Sequence, residues 1–324
     1  MKNEFEWIRS IAQEEYSHSG VVTGIGDDAA VIREEEGFDT VLAVDTMVEG
    51  IHFTKETMPL EAVGHKALAV NVSDLAAMGA VPLYYMVSIA VPKTGWDQEE
   101  TGRIYDGMKK LAARYPMDLI GGDTVSKKET LVLSVTVVGR VEKNRQLLRG
   151  RAEAGDVLFL TGPVGFSARG LDRLLREGRA AWDEKDAYIQ AHQYPEPHVR
   201  YGRVFAESGA RIAANDVSDG IGHEGREIAE ASGTDVTIDW EALPFVERFK
   251  EFEEREEWLL HGGEDFCLIG AASPDVFAEL QRVLKKENLP LYKIGTVDAG
   301  SGNVWLRRAD GERKLLQSGG YTHF

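Results

Sequence analysis

Acidic residues recur in this chain beside glycines and at the ends of apolar runs. Asp27 and Asp28 follow Gly24-Ile25-Gly26, and Asp45 follows the apolar run Thr40 to Val44. Asp123 follows Gly121-Gly122, Asp216 and Asp219 flank Val217-Ser218 ahead of Gly220, and Glu264-Asp265 follow Gly262-Gly263. A single aspartate in such a turn is ordinarily a cap or turn former. A recurring set has another meaning, because strand ends of α/β sheets are where ligands collect. Carboxylates that converge there repel one another, by roughly 1 kcal/mol per pair at about 4 Å in water and roughly 4 kcal/mol at an effective dielectric of 20. Cations relieve that repulsion, and all-oxygen donors suit Mg²⁺, Mn²⁺ or Ca²⁺ rather than Zn²⁺. Mg²⁺ on a few carboxylates completes its shell with water and phosphate oxygens. The set therefore reads as a nucleotide site, with the glycine turns offering backbone N–H groups to phosphate.

One more acid comes from a helix. Val63, Ala67, Val70, Leu75 and Met78 recur at helical spacing between Glu61 and Gly79, and Asn71 and Asp74 fall on the same stripe. A carboxylate on a buried face needs a partner. Ala69, Ala76, Ala77, Gly79 and Ala80 leave room for a ligand or a second backbone to approach.

The elements that must hold these residues follow from the pattern. A helix is expected from Phe5 to Tyr16, and a buried strand over Thr40 to Val44 with Asp45 at its C-terminal end. Strands are expected at Tyr84 to Val91 and Leu131 to Val141, with a helix from Asp97 to Arg114 between them and a short strand ending at Gly121-Gly122-Asp123-Thr124. Residues 142–155 are polar and basic and read as a linker between domains at 1–141 and 156–324. The second half opens with Asp156 to Thr161 as a strand and carries helices near Phe166 to Glu177, His198 to Glu207 and Glu224 to Ala231, with a short strand at Arg211 to Asn215. The whole is an α/β protein of two domains.

Composition narrows the partners. The 324 residues carry 54 acids against 37 bases, a net charge of −17. That argues against nucleic acid or an anionic membrane as the main partner. The longest mostly apolar run, Val81 to Pro92, is too short to span a bilayer. The start, Met1 to Glu6, lacks the apolar core of a signal peptide, and Cys267 is the one cysteine, so a reducing cytoplasm is expected. No P-loop, dinucleotide fingerprint, H-E-x-x-H or G-x-S-x-G is present.

Seven short motifs, in order, resemble the thiamine-monophosphate kinase family. They are Gly24 to Ala30, Val44 to Phe53, Asn71 to Ala80, Gly121 to Thr124, Asp216 to Gly220, Gly262 to Phe266 and Gly320 to Phe324. The parent superfamily is that of aminoimidazole-ribonucleotide synthetase. The resemblance implies that fold, with N-terminal sheets of two subunits joined into a barrel-like homodimer and a C-terminal α/β domain. It implies ATP-dependent phosphorylation of thiamine monophosphate to thiamine diphosphate with several Mg²⁺ ions. By motif position, Asp28, Asp45, Asp74, Asp123, Asp216 and Asp219 correspond to metal ligands. Tyr105, Gly122, Asp123, Arg149 and Ser218 correspond to ATP contacts, and His52, Glu264 and Tyr321 to contacts of the acceptor. No covalent nucleophile is implied. The chain departs from the family at Ala43 and Val44, where hydroxyls are common, and Tyr321 stands where some members have Trp. The rivals are another ATP-using enzyme of the superfamily and a non-enzymatic Mg²⁺–nucleotide binding protein.

Overall fold

The structure, a computed structural model, describes residues 16–23, 31–32 and 36–317. The expected helix from Phe5, the Gly24 to Asp28 loop and the terminal Gly320 to Phe324 motif lie outside these residues, apart from Tyr16.

The N-terminal half forms a four-stranded sheet. Its strands are β3 (Phe38–Val48), β4 (Val81–Pro92), β5 (Asp118–Lys127) and β6 (Val132–Glu142), in the order β3-β6-β4-β5. Two short strands, β1 (Val21–Thr23) and β2 (Val31–Ile32), pair separately. Alternation sets the faces: Leu133, Val135 and Val137 of β6 are fully buried while Ser134 and Thr136 are not. Helix α1 (Leu60–Ala77) lies against the buried face, and α2 (Gln98–Ala112) packs on α1. A capping box starts α2, with Asp97 Oδ1 accepting from Glu100 N at 2.8 Å and Glu100 Oε2 accepting from Asp97 N at 3.1 Å.

The second half is built on a seven-stranded sheet. Its strands are β7 (Val157–Leu160), β8 (Ile212–Asp216), β9 (Thr234–Asp239), β10 (Leu268–Ala272), β11 (Tyr292–Ala299), β12 (Val304–Arg307) and β13 (Arg313–Leu315), in the order β13-β12-β9-β11-β7-β10-β8. The helices are α3 (Phe166–Glu177), α4 (Ala187–Gln193), α5 (Val199–Ser208), α6 (Ile221–Ser232), α7 (Arg255–His261) and α8 (Pro274–Lys285). No helix among the described residues is long and apolar enough to cross a membrane.

Helix α1 is enclosed between the two sheets, touching β3 and β6 on one side and β8 and α5 on the other. Residues of both halves, among them Leu68, Val135, Phe159, Phe205 and Leu268, share one core around it. A second core lies on the opposite face of the larger sheet. This corrects the expectation of a one-faced apolar stripe. Every α1 residue except Glu61, Val70 and Asp74 is buried, so the helix has no solvent side to distinguish. The strand over Thr40 to Val44 is also not buried. It belongs to an edge strand, β3, whose Leu42 and Val44 are 67% and 60% exposed, and Asp45 lies within the strand rather than at its end. The Gly121-Gly122-Asp123-Thr124 segment likewise lies inside β5.

Candidate functional site

Asp74 sits in the last turn of α1, where no basic residue answers the negative end of the helix dipole. Its neighbours come from three other places in the chain. Asp45 reaches in from β3 and accepts a hydrogen bond from the Asp74 carboxyl. Asp216, the last residue of β8, accepts from Ser73 Oγ at 2.7 Å, across 143 residues of chain. Burial, then the charges of Asp216 and Asp45, push Asp74 up to about 8, against some relief from Arg149. Burial also pushes Asp216 up to about 6, and the Ser73 hydrogen bond restrains it. The acids are therefore crowded enough to hold protons that an isolated carboxylate would lose.

The turn after β8 adds the rest. Glu224, in the first turn of α6, accepts from Asp219 N at 3.0 Å and from Ser218 Oγ at 3.2 Å, and it also pairs with the Asn215 side chain. Burial and Asp216 push Glu224 up to about 8. Ligand atoms of Asp219, His223 and Glu224 lie within 4.8 Å of one another. Arg149 lies in the turn Arg149–Arg151, donates from Nε to Asn215 Oδ1 at 2.9 Å, and places Nη1 2.6 Å from Glu227. A cavity of about 470 Å³ opens beside Asp74, Arg149, Asn215 and Asp216. A larger one, about 1010 Å³, lies by His18, Tyr84 and Arg140 and contains none of these carboxylates. The cluster fits divalent cations: its carboxylate oxygens come from four separate elements, and without added positive charge they are held partly neutral.

A second group of charges lies alongside. Lys66 of α1, 1% exposed, places Nζ 2.6 Å from Glu264 Oε1. His192 Nδ1 lies 3.4 Å from Glu264 Oε2 and 3.1 Å from Ser167 Oγ. Burial would raise the Glu264 carboxyl, but the Lys66 ammonium holds it below the ordinary carboxylate range. His52 acts to lower Asp45, and its Nδ1 accepts from Val48 N at 3.0 Å. The Glu264 backbone is left-handed, with φ 67°, and its N–H donates to Ser218 O at 2.7 Å. That conformation costs about 1 kcal/mol or more in a non-glycine residue and persists where its surroundings impose it. Gly263 permits the approach, since a Cβ there would lie 2.2 Å from Ser218 O. Asp265 accepts from Gly165 N at 2.6 Å and Ser167 N at 3.0 Å and so tethers the same loop to the start of α3.

Of the residues expected at the site, the structure brings together Asp45, Asp74, Asp216, Asp219, Arg149 and Ser218, with His52 and Glu264 beside them. Three others lie elsewhere. Tyr105 is 2% exposed in the core shared with Tyr85, so no ring can stack on it. Asp123 and Gly122 are on β5, at the opposite edge of the sheet from Asp45, about 14 Å away at three strand spacings. Register separates Asp123 further. Thr46, Ser134, Ser88 and Asp123 form one cross-strand row, Asp45, Val135, Val87 and Gly122 the next, and adjacent rows face opposite ways. Within one chain Asp123 therefore does not join the cluster. Asp28 and Tyr321 lie outside the described residues. Two residues were missed. Glu224 had a signal, since a first-turn carboxylate folds back onto the N–H groups of the turn before it. Lys66 had none, because its partner is far away in sequence.

A four-stranded and a seven-stranded sheet enclosing one helix, with carboxylates converging at its end, define the class. Family models for the AIR synthase related protein match here, the N-terminal domain over residues 26–141 and the C-terminal domain over residues 153–306. Among relatives, the thiamine-monophosphate kinase of Bacillus subtilis (strain 168) is 42% identical, covering 99% of each chain. A solved thiamine-monophosphate kinase from Stenotrophomonas maltophilia K279a superposes with a TM-score of 0.81 at 32% identity, covering 95% of both chains. AaThiL, complexed with AMPPCP and TMP, gives 0.78 at 30% identity, covering 90% of this chain and 89% of its own. The chain belongs to the thiamine-monophosphate kinase family.

Proposed function

We propose that this protein transfers the γ-phosphoryl group of ATP to thiamine monophosphate, forming thiamine diphosphate and ADP, by direct in-line transfer. The observation that carries the reading is the convergence of Asp45, Asp74, Asp216, Asp219 and Glu224 beside a cavity bordered by Arg149. The likeness to a family member complexed with AMPPCP and TMP supports it.

Phosphoryl transfer demands positioning and charge neutralisation more than covalent chemistry. The acceptor oxygen already belongs to a phosphate anion, so no strong general base is needed, in keeping with a site rich in carboxylates. The five acids would hold Mg²⁺, which when bound would supply the charge neutralisation that two polyanions require. Arg149 offers a guanidinium fork to phosphate, with Ser218 nearby. His52 and Glu264 face the acceptor. Asp28 and Tyr321 keep their roles, metal ligand and acceptor contact, from motif position. Among the described residues of the cluster, each carboxylate engages a neighbouring acid, hydroxyl or N–H, which argues against a phosphoenzyme. The reading also takes 1–141 and 156–324 as domains joined by 142–155, a homodimer formed through the N-terminal sheet, and a cytoplasmic protein.

The test is a product assay with ATP, Mg²⁺ and either thiamine monophosphate or free thiamine. Thiamine diphosphate is expected from the monophosphate alone. Comparable turnover of free thiamine, or no product despite tight nucleotide binding, overturns the reading.

A further inference from the structure

We propose that Lys66 is a positioning residue for the acceptor: from the middle of α1 it fixes the Glu264 carboxylate, as an anion, where the acceptor's cationic ring system binds. The inference rests on the function proposed above and assigns a residue of the acceptor side.

Lys66, Glu264 and His192 form a group in which only one member reaches the site. Lys66 and His192 are each 1% exposed, while the Glu264 side chain is 29% exposed. The buried ammonium therefore meets the acceptor only through the carboxylate. Lys66 is also the fixed partner. Its helix is packed on all sides, whereas Glu264 lies on a loop with a left-handed backbone. The pair is a poor device for stability alone, because a buried ion pair is commonly matched or bettered by apolar residues of similar volume. What it provides here is orientation and charge: Oε1 is held by Lys66 and Oε2 is turned toward His192.

Such a carboxylate suits the acceptor chemically. Thiamine monophosphate carries a permanent thiazolium cation and an aminopyrimidine with N–H donors, and both favour an ionised carboxylate over a carboxylic acid. The placement on α1 adds a spatial argument. Asp74 lies eight residues beyond Lys66, about 12 Å along the axis. One rigid helix thus sets the cation-binding end and the acceptor-ring end at a fixed separation. Loss of Lys66 should disturb one end and spare the other.

The test uses the full chain with Lys66→Met, Glu264→Gln and the double variant. Methionine matches the lysine stem in a buried helix, and the double variant removes both charges, so neither leaves an unpaired ammonium. Lys66→Met is expected to raise KM for thiamine monophosphate about tenfold or more, with kcat and the affinity for Mg²⁺–AMPPCP changed less than about threefold. Glu264→Gln should do the same, and the double variant should be no worse than the poorer single one. The inference is overturned if Lys66→Met lowers Tm but leaves KM alone, if both substrates weaken together, or if the two effects add. A wild-type protein that binds Mg²⁺–AMPPCP but makes no thiamine diphosphate overturns the proposed function, and this inference with it. Normal wild-type turnover with an unchanged Lys66→Met overturns this inference alone.

Discussion

His192 shows how a residue away from the phosphates can set the behaviour of the protein in acid. Burial, then the nearby Lys66 ammonium, push its imidazole down to about 3. The unfolded chain takes up a proton there below about pH 6.5, while the folded protein refuses it until far lower. Stability from this residue is thus complete above pH 6.5 and is lost as the pH falls, by about 2 kcal/mol between pH 8 and pH 5. In denaturant titrations the stability difference between wild type and His192→Gln should shrink by that amount over this interval. Parallel curves would show that the imidazole is protonated or solvated in the fold. At this scale much of the site was legible. Asp45, Asp74, Asp216 and Asp219 each stand beside small residues or an apolar run, and sequence alone marks such positions. Lys66 was not legible, because a lysine in an apolar helix looks like a solvated one until Glu264 arrives from 198 residues further along.

At the scale of elements, α1 dictates what its neighbours can be. A Cβ on Gly107 would lie 1.9 Å from Glu61 O, and one on Gly64 would lie 1.7 Å from Ile104 O, so α1 and α2 cross with backbones in contact. In an exposed helix, replacing glycine by alanine stabilises by about 1 kcal/mol. Here the sign reverses, since the helices must move apart. Gly107→Ala should lower stability by about 1–3 kcal/mol in a denaturant titration, and a gain would show that the crossing is loose. The positions of most elements could be read from periodicity and caps, as with the Asp97 capping box. What failed was burial. An apolar run such as Thr40 to Val44 reads as an interior strand, yet in one chain β3 is an edge. Periodicity reports which residues are apolar, not which surface covers them.

At the scale of the whole molecule, the outer face of the four-stranded sheet leaves apolar side chains exposed among the described residues. Leu42, Val44 and Val125 are exposed on it, beside the half-buried Met86 and Ala90. Monomers seldom leave such a patch to water. The proposed homodimer would cover it, across the face that β3, β6, β4 and β5 share. Sedimentation at micromolar concentration should give a dimer for the wild type and a monomer for Leu42→Asp combined with Val44→Asp. A wild-type monomer, or an unchanged dimer in the variant, would place the contact elsewhere.

The enclosure of α1 has a consequence for synthesis. The helix and its first wall leave the ribosome early, but Ser73 must wait for Asp216, 143 residues behind it. At usual translation rates that interval is on the order of ten seconds or more. Throughout it, Leu68, Val72 and Ala76 have no second sheet to cover them. The nascent first half is thus a half-shelled helix with its apolar side bare, a natural client for chaperones until the second half arrives.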